Sequence, residues 1–260
     1  MIERAALDDP AWAEHSASHL ARYLAAAEYT RGRRVLDAGS GNGYGARLLR
    51  TLGAAEILAV DIDPQSVQAA QQRFGEEKLR YLVDDCQELA NVSGPFDVIC
   101  NVEVLEHLRE PARFLRRAGR LLAADGVLLL STPDRLGTPP FVNGKPRNPF
   151  HLHEWYQAEF EAMIAAHFDD VEFRAQVQSA AHMARLQAVA ALRQGLMWAN
   201  PLLTFLWRKM PFVPKAKRPW KKLAGLSVPT VADYPVVPLT VAGLYGTPYC
   251  HFAICRKPKA

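Results

Sequence analysis

Three glycines alternate with other residues directly after a short apolar run, in a spacing that suits a ligand-binding turn. Asp37 precedes Gly39, Gly41 and Gly43, and a second apolar run farther along the chain ends in Asp61. A backbone without Cβ lets a ligand approach closely while the chain reverses direction. The two apolar runs and the helical spacing between them predict a strand, a glycine turn, a helix and a second strand, which together form a βαβ unit. Such a unit is expected to bind a nucleotide-like ligand at its turn.

The glycine spacing distinguishes between nucleotide-binding motifs. The dinucleotide pattern Gly-x-Gly-x-x-Gly needs a third glycine at position 44, where this chain has Tyr44. A phosphate-binding loop needs Gly-Lys followed by Ser or Thr, and the sequence has no such tripeptide. These differences argue against an NAD-dependent dehydrogenase. The pattern Asp-x-Gly-x-Gly-x-Gly, with Asp61 placed 20 residues after Gly41, resembles the first motif of the class I S-adenosylmethionine (SAM) dependent methyltransferases. A glycine-rich turn in another α/β fold is the alternative.

The resemblance implies SAM as the cofactor and a set of residues that bind it. Asp61 corresponds to the acid that binds the ribose, and Asp84 or Asp85 to the acid that binds the adenine amino group. Capping of the next helix is the structural alternative for these two acids. Arg22 and Tyr23 could bind the SAM carboxylate from a leading helix, whereas a solvated arginine and a core tyrosine are equally compatible with the sequence. The predicted cofactor-binding set is Arg22, Tyr23, Asp37, Gly39, Gly41, Gly43, Asp61, Ile62, Asp84, Asp85, Cys86 and Asn101.

A second motif follows the fourth predicted strand. Residues 103–107, Glu-Val-Leu-Glu-His, resemble the segment after that strand in ubiquinone-type O-methyltransferases. Ligands of open α/β sheets lie beyond the carboxyl ends of the strands, so His107 is a candidate general base and Glu106 a second catalytic candidate. Residues 148–154, Asn-Pro-Phe-His-Leu-His-Glu, resemble a segment of bacterial glycan-associated methyltransferases. The resemblance adds His151, His153 and Glu154 as candidates for the base or for substrate contact. A purely structural role at a helix start is the alternative for Glu106 and His107. A metal site formed by His151, His153 and Glu154 with His107 is an alternative, but no metal is expected because no cluster of carboxylates supports it.

The order of the predicted elements defines the fold class. Strands and helices alternate, which indicates an α/β protein. The resemblance implies a Rossmann-like, seven-stranded methyltransferase sheet, mostly parallel with the last strand antiparallel, and helices on both faces. Length and composition, 260 residues with 49% hydrophobic and 22% charged, fit one such domain. The expected SAM-binding domain covers residues 1–177 plus 246–260, and residues 178–245 form an insertion between strands six and seven.

The insertion differs in charge from the rest of the chain. Residues 173–232 contain ten Lys or Arg and no Asp or Glu, and the apolar run 201–207 precedes most of these cations. A substrate lid is the first interpretation. Contact with an anionic membrane surface and homodimer formation are the alternatives, and nucleic-acid binding is not expected because no zinc finger or RNA-binding motif is present.

The remaining features concern location and activity. Four cysteines without a Cys-x-x-Cys pair, no signal peptide and no long apolar run predict a reduced, cytoplasmic protein that could lie at the inner face of a membrane. The expected reaction is methyl transfer from SAM to a hydroxyl of a small molecule or of a sugar or glycan intermediate. The alternatives are an N-methyltransferase, a quinone-type O-methyltransferase at a membrane surface, and an inactive SAM-binding regulator.

Overall fold

A computed structural model describes residues 12–137, 145–146, 148–184, 187, 230–242 and 248–259. The apolar run and basic cluster of residues 201–222, for which a lid, membrane contact or dimer contact is expected, lie outside these residues. None of the described helices is long and apolar enough to cross a membrane.

In the described part of the chain, eight strands form one sheet in the order β3-β2-β1-β4-β5-β8-β6-β7. The strands are β1 Arg34–Ala38, β2 Glu56–Asp61, β3 Leu79–Val83, β4 Phe96–Val102, β5 Leu122–Pro133, β6 Phe168–Gln176, β7 Val236–Pro238 and β8 Cys250–Pro258. Strands β1 to β5 are mutually parallel, and β8 is antiparallel to both β5 and β6. The predicted Rossmann-like sheet with an antiparallel last strand is confirmed.

The strand count is one higher than the expected seven. The additional strand, β7, pairs antiparallel with β6 at the edge of the sheet. It comprises three residues, Val-Val-Pro, which is too short to show an alternating pattern, and proline is tolerated at a sheet edge. Because β7 lies within residues 178–245, part of the expected insertion is built into the sheet.

Helices cover both faces of the sheet. They are α1 Trp12–Thr30, α2 Tyr44–Thr51, α3 Pro64–Phe74, α4 Pro111–Leu121, α5 Gln157–Ala165 and α6 Leu239–Ala242. One buried cluster unites α4 and α5 with the sheet, and a second unites α1, α2 and α3 with the opposite face. In α4, Pro111 suits the first turn, and Phe114, Leu115, Ala118 and Leu121 recur at helical spacing and are buried.

The carboxyl ends of the parallel strands meet at one edge of the sheet. Asp61 ends β2, the residues that follow the neighbouring strand β1 lie beside it, and those that follow β4 lie one strand farther along the same edge. Strand β8 runs in the opposite direction, so its first residue, Cys250, pairs with Pro133 at the end of β5. The order of the strands reverses between β1 and β4, which is the place where open α/β sheets bind their ligands.

Candidate functional site

The glycine turn between β1 and α2 has a conformation that side chains rarely adopt. Gly39 has φ +91° and Gly41 has φ +51°. A Cβ on Gly39 would overlap the side chain of Val104, whereas no described atom lies within 4 Å of the position of a Cβ on Gly41. Gly43 caps the first turn of α2 with φ +77°. Packing therefore requires glycine at position 39, and position 41 faces a space that a ligand could enter.

Asp61 connects the glycine turn to the end of β2. Its Oδ2 accepts a hydrogen bond from the Gly41 N–H at 2.8 Å, and its Oδ1 accepts one from the Asp63 N–H at 3.0 Å. Each carboxylate oxygen has a second lone pair that could accept a ligand hydroxyl. The next residue, Ile62, is 51% exposed although it is apolar. The turn is thus bordered by a fixed carboxylate and an exposed apolar side chain.

The two acids after β3 differ in their surroundings. Asp84 is buried, and its two oxygens accept the N–H groups of Asp85 at 2.9 Å and Asn91 at 2.7 Å. Asp85 is half-buried, and only its Oδ1 accepts a hydrogen bond, from the Gln87 N–H at 2.8 Å, within the described residues. Asp84 therefore stabilises the loop, and Asp85 keeps one oxygen for a ligand. Burial raises the pKa of the adjacent Cys86 thiol well above its usual value, so Cys86 stays uncharged.

Asp37 is enclosed below the turn. Its carboxylate accepts a hydrogen bond from the Tyr23 O–H at 3.2 Å. Burial raises the pKa of Asp37 to about 7, although the hydrogen bond from Tyr23 acts in the opposite direction. Tyr23 is itself buried and packs among the core residues of its face of the sheet. Of the two interpretations of Tyr23, the core tyrosine fits this environment.

Arg22 is buried at the same edge of the sheet, so it is not the solvated arginine of the alternative. It is 2% exposed, and its Nη1 lies 3.6 Å from Oε2 of Glu103. Its Nε and Nη1 have no hydrogen-bond partner among the described residues. Burial would raise the pKa of Glu103, but Arg22 and His19 outweigh that effect and lower it, so Glu103 is ionised. A buried guanidinium with unused donors is suited to binding a carboxylate ligand.

Asn101, the predicted site residue in β4, is fully buried. Its Nδ2 donates a hydrogen bond to the Ala38 carbonyl at 2.9 Å, which joins the ends of β4 and β1. Its Oδ1 is without a hydrogen-bond partner in the part of the chain that the structure describes. The side chain thus clamps the two strands at the point where the sheet order reverses.

The three predicted catalytic residues lie together beyond β4 and β5. Glu106, in the 3₁₀ turn Leu105–His107, is 1% exposed and accepts a hydrogen bond from the Thr132 O–H at Oε2, 2.9 Å away. Its buried Oε1 has no hydrogen-bond partner among the residues described and lies 3.8 Å from Nε2 of His107. Burial, and then the charge of Glu103, raises the pKa of Glu106 well above its usual value.

Hydrogen-bond partners fix the tautomers of both histidines. Nδ1 of His107 lies 2.9 Å from the Phe150 carbonyl, which only accepts, so Nδ1 carries the proton and Nε2 the lone pair of the neutral ring. Nδ1 of His151 likewise donates to Glu154 at 2.8 Å, and Nε2 of His151 accepts from the Asn148 amide at 2.9 Å. The two rings meet edge to face with centroids 5.0 Å apart. Nε2 of His151 is thus hydrogen-bonded to the Asn148 amide, and Nε2 of His107 lies 3.8 Å from Oε1 of Glu106.

Some neighbours of the site were not predicted from the sequence. Thr132 comes from the end of β5, and Cys250 donates its S–H to Oε1 of Glu103 at 3.4 Å. Tyr249 lies with its ring centroid 5.9 Å from the Arg22 guanidinium, and its buried hydroxyl has no hydrogen-bond partner among the described residues. The only sequence signal for these residues is that they lie near the end of β5 or at the start of the last strand.

Comparisons with known proteins agree with this geometry. A family profile described as a methyltransferase domain matches residues 11–185. A probable S-adenosylmethionine-dependent methyltransferase of Mycobacterium tuberculosis is 36% identical over 154 residues, which are 59% of this chain and 55% of the relative. A ubiquinone biosynthesis O-methyltransferase of Azorhizobium caulinodans is 32% identical over 151 residues, 52% of this chain and 58% of the relative. The matches thus span little more than half the length of these curated relatives.

Solved structures show the same fold at low sequence identity. The 1,6-didemethyltoxoflavin-N1-methyltransferase of Burkholderia thailandensis, crystallised with bound 1,6-didemethyltoxoflavin and S-adenosylhomocysteine, superimposes with a TM-score of 0.52. It is 19% identical, and the superposition covers 95% of this chain and 80% of that one. At this identity the similarity establishes the fold alone.

Proposed function

The chain belongs to the SAM-dependent methyltransferase family, and on this premise we propose that it transfers a methyl group from SAM to a hydroxyl of a small molecule. Sugar or glycan intermediates are the first class of acceptor that we propose. The observation that carries the proposal is the buried guanidinium of Arg22, whose Nε and Nη1 lack hydrogen-bond partners among the described residues. Buried donors that make no hydrogen bond are costly unless a ligand satisfies them, and the carboxylate of SAM would do so.

The neighbouring residues fit the rest of the cofactor. Asp61 would accept hydrogen bonds from the ribose hydroxyls, and exposed Ile62 would pack against the adenine ring. Asp85, rather than Asp84, would accept from the adenine amino group, because both oxygens of Asp84 already accept backbone N–H groups. Asp37 would contribute negative charge beneath the cationic end of the cofactor.

The proposed chemistry needs alignment and a proton acceptor. When bound, SAM supplies an electrophilic methyl group on its sulfonium. The chain would hold the acceptor hydroxyl in line with that methyl group, and Nε2 of His107 would take the hydroxyl proton. The Phe150 carbonyl would orient His107 through Nδ1, Glu106 would stabilise the protonated ring from 3.8 Å, and His151 would contact the acceptor. A positioned general base is typically worth about 10²–10⁴-fold in rate.

A phenol acceptor of the quinone type is the second candidate. The similarity to a ubiquinone biosynthesis O-methyltransferase favours it, and the same proton acceptor would serve a phenol hydroxyl. Both candidates can be tested by incubating the purified chain with methyl-labelled SAM and panels of sugars, phenols and amines. Label on oxygen supports the proposal. Label on nitrogen alone, or SAM binding without transfer to any acceptor, contradicts it and favours the N-methyltransferase or the inactive regulator.

Substitutions of Arg22 and His107 test cofactor binding and catalysis separately. Arg22→Gln should weaken SAM binding roughly 10- to 150-fold, because hydrogen bonds to charged groups contribute about 1.5–3 kcal/mol. Exposed Arg116→Gln on α4 is the matched control and should bind SAM normally. His107→Ala should keep SAM affinity and lose about 10²–10⁴-fold in turnover. His167→Ala, whose ring binds the Met163 carbonyl at the end of α5, is its control.

A further inference from the structure

Glu106, His107 and His151 form a cluster of metal-binding atoms. One ligand atom from each residue lies within 4.8 Å of those of the other two. From the sequence no metal site is expected, because no carboxylate cluster is visible beside the histidines. The fold supplies the missing carboxylate by turning Glu106 inward. Its Oε1 is buried and has no hydrogen-bond partner in the described residues, which is costly for a carboxyl group unless a ligand binds there.

The groups behind the cluster orient it as they do in metal sites. A metal-binding histidine usually donates its second ring N–H to a carbonyl or carboxylate. Here Nδ1 of His107 donates to the Phe150 carbonyl at 2.9 Å, and Nδ1 of His151 donates to Glu154 at 2.8 Å. The Thr132 hydroxyl holds Oε2 of Glu106 at 2.9 Å. Each of the three residues is thus held by at least one hydrogen bond, and an ion would bind Nε2 of both histidines and Oε1 of the glutamate.

We propose that Glu106, His107 and His151 bind one divalent zinc ion at the acceptor end of the site. Two imidazoles and one carboxylate are a ligand set of catalytic zinc, which keeps a fourth position for water or substrate. This inference rests on the proposed function in that the acceptor hydroxyl would occupy that position.

With zinc bound, His107 would be a zinc ligand and would no longer take the acceptor proton; the ion would activate the acceptor hydroxyl instead. Zinc lowers the pKa of a bound hydroxyl, so the acceptor proton passes to water. The acceptor oxygen then forms the new O–CH₃ bond while the S–CH₃ bond of SAM breaks. The bonding pair stays on sulfur, which gives S-adenosylhomocysteine. No oxidant or reductant is needed.

The ligand atoms lie within 4.8 Å of one another and would move closer together around the ion. Ligand atoms about 2.0–2.2 Å from a tetrahedral zinc ion lie about 3.3–3.6 Å from each other. Nε2 of His107 and Oε1 of Glu106 are 3.8 Å apart, close to that separation. The Asn148 amide, 2.9 Å from Nε2 of His151, would have to turn aside when the ion binds. Its Oδ1 accepts the Phe150 N–H at 3.1 Å, so an aspartate at this position could keep that bond and present an anionic oxygen to the ion.

The test measures zinc binding directly on the full chain after removal of metals with a chelator. Calorimetry with Zn²⁺, and elemental analysis after gel filtration, should give one ion per chain. Glu106→Gln and His151→Ala should each weaken zinc binding at least tenfold, and Asn148→Asp should strengthen it. His153→Ala, whose ring stacks on Trp155 outside the cluster, is the control and should bind zinc normally. Circular dichroism and a thermal melt establish that each variant is folded.

Two results would overturn the zinc site. One is the absence of stoichiometric zinc binding by the folded wild-type chain, and the other is equal zinc affinity in wild type and folded Glu106→Gln. Substitution by Co²⁺ adds a spectroscopic readout, because four-coordinate Co²⁺ gives visible bands that should appear in wild type and not in Glu106→Gln. Methyl transfer at full rate in chelator, together with no zinc binding, contradicts the zinc site and leaves His107 as the base. Zinc binding without transfer to any acceptor supports the site and contradicts the proposed methyltransferase function.

Discussion

Replacing Asp37 with asparagine tests how burial of this carboxyl group affects stability. The pKa of Asp37 is raised from 3.8 to about 7 by burial in the folded chain. Between these pH values the folded protein holds a proton that the unfolded chain has released. The contribution of Asp37 to stability is therefore fully present below pH 4, and it is lost as the pH rises through about 7.

The expected magnitude follows from the size of the shift. A shift of about 3 units corresponds to about 4 kcal/mol over the whole range, at about 1.4 kcal/mol per unit. About 2.5 kcal/mol of this should fall between pH 5 and pH 8. The asparagine side chain in Asp37→Asn would keep an oxygen for the Tyr23 hydroxyl and has no charge to bury. The free energy of unfolding of wild type minus that of Asp37→Asn should thus decrease by about 2.5 kcal/mol over this interval.

Urea unfolding followed by circular dichroism at half-unit pH steps measures this difference. Asp125→Asn, which removes the same charge from an exposed position in β5, controls for the change in net charge. The argument from burial would be refuted if the difference in the free energy of unfolding between wild type and Asp37→Asn stayed constant from pH 5 to pH 8. It would also be refuted if that difference had the same pH dependence as the difference between wild type and Asp125→Asn.

Three further predictions concern the cofactor site. SAM affinity should rise between pH 5.5 and 7 in wild type and not in Asp37→Asn, because ionised Asp37 attracts the cationic cofactor. Calorimetric titrations of both proteins across this pH range measure the effect, and an equal dependence of SAM affinity on pH in the two proteins would contradict it. Gly39→Ala should lower the free energy of unfolding by about 1–3 kcal/mol, because a Cβ there is strained and overlaps Val104. Gly41→Ala should weaken SAM binding, and it should lower the melting temperature less than Gly39→Ala does. Asp84→Asn should destabilise the fold, whereas Asp85→Asn should mainly weaken SAM binding; the reverse would show that the two acids have exchanged roles.

The sequence predicted most of the fold because its signals are local. The apolar runs that became β1 to β5 are continuous and are separated by helical spacing or turn residues, so their order defined the sheet. Strand β7 was missed because three residues carry no periodicity and its pairing with β6 joins distant parts of the chain. The antiparallel last strand was expected from the family resemblance and is confirmed.

The candidate site was predicted in part. The glycines and Asp61 are close in sequence, so their arrangement followed from the βαβ unit. The choice between Asp84 and Asp85 depended on which backbone N–H groups each carboxylate reaches, and spacing does not give that information. The ion pair of Arg22 with Glu103 and the meeting of Glu106 with His151 depend on tertiary packing between segments that are far apart in the chain. Their residue types were visible in the sequence, but their contacts were not.

Calorimetric titration of the purified chain with SAM, S-adenosylhomocysteine and NAD tests the central claim most directly. The glycine turn, Asp61 and the buried Arg22 predict one site per chain that binds both SAM and S-adenosylhomocysteine and does not bind NAD. Absence of SAM and S-adenosylhomocysteine binding by the folded chain, or binding of NAD in their place, would contradict the account.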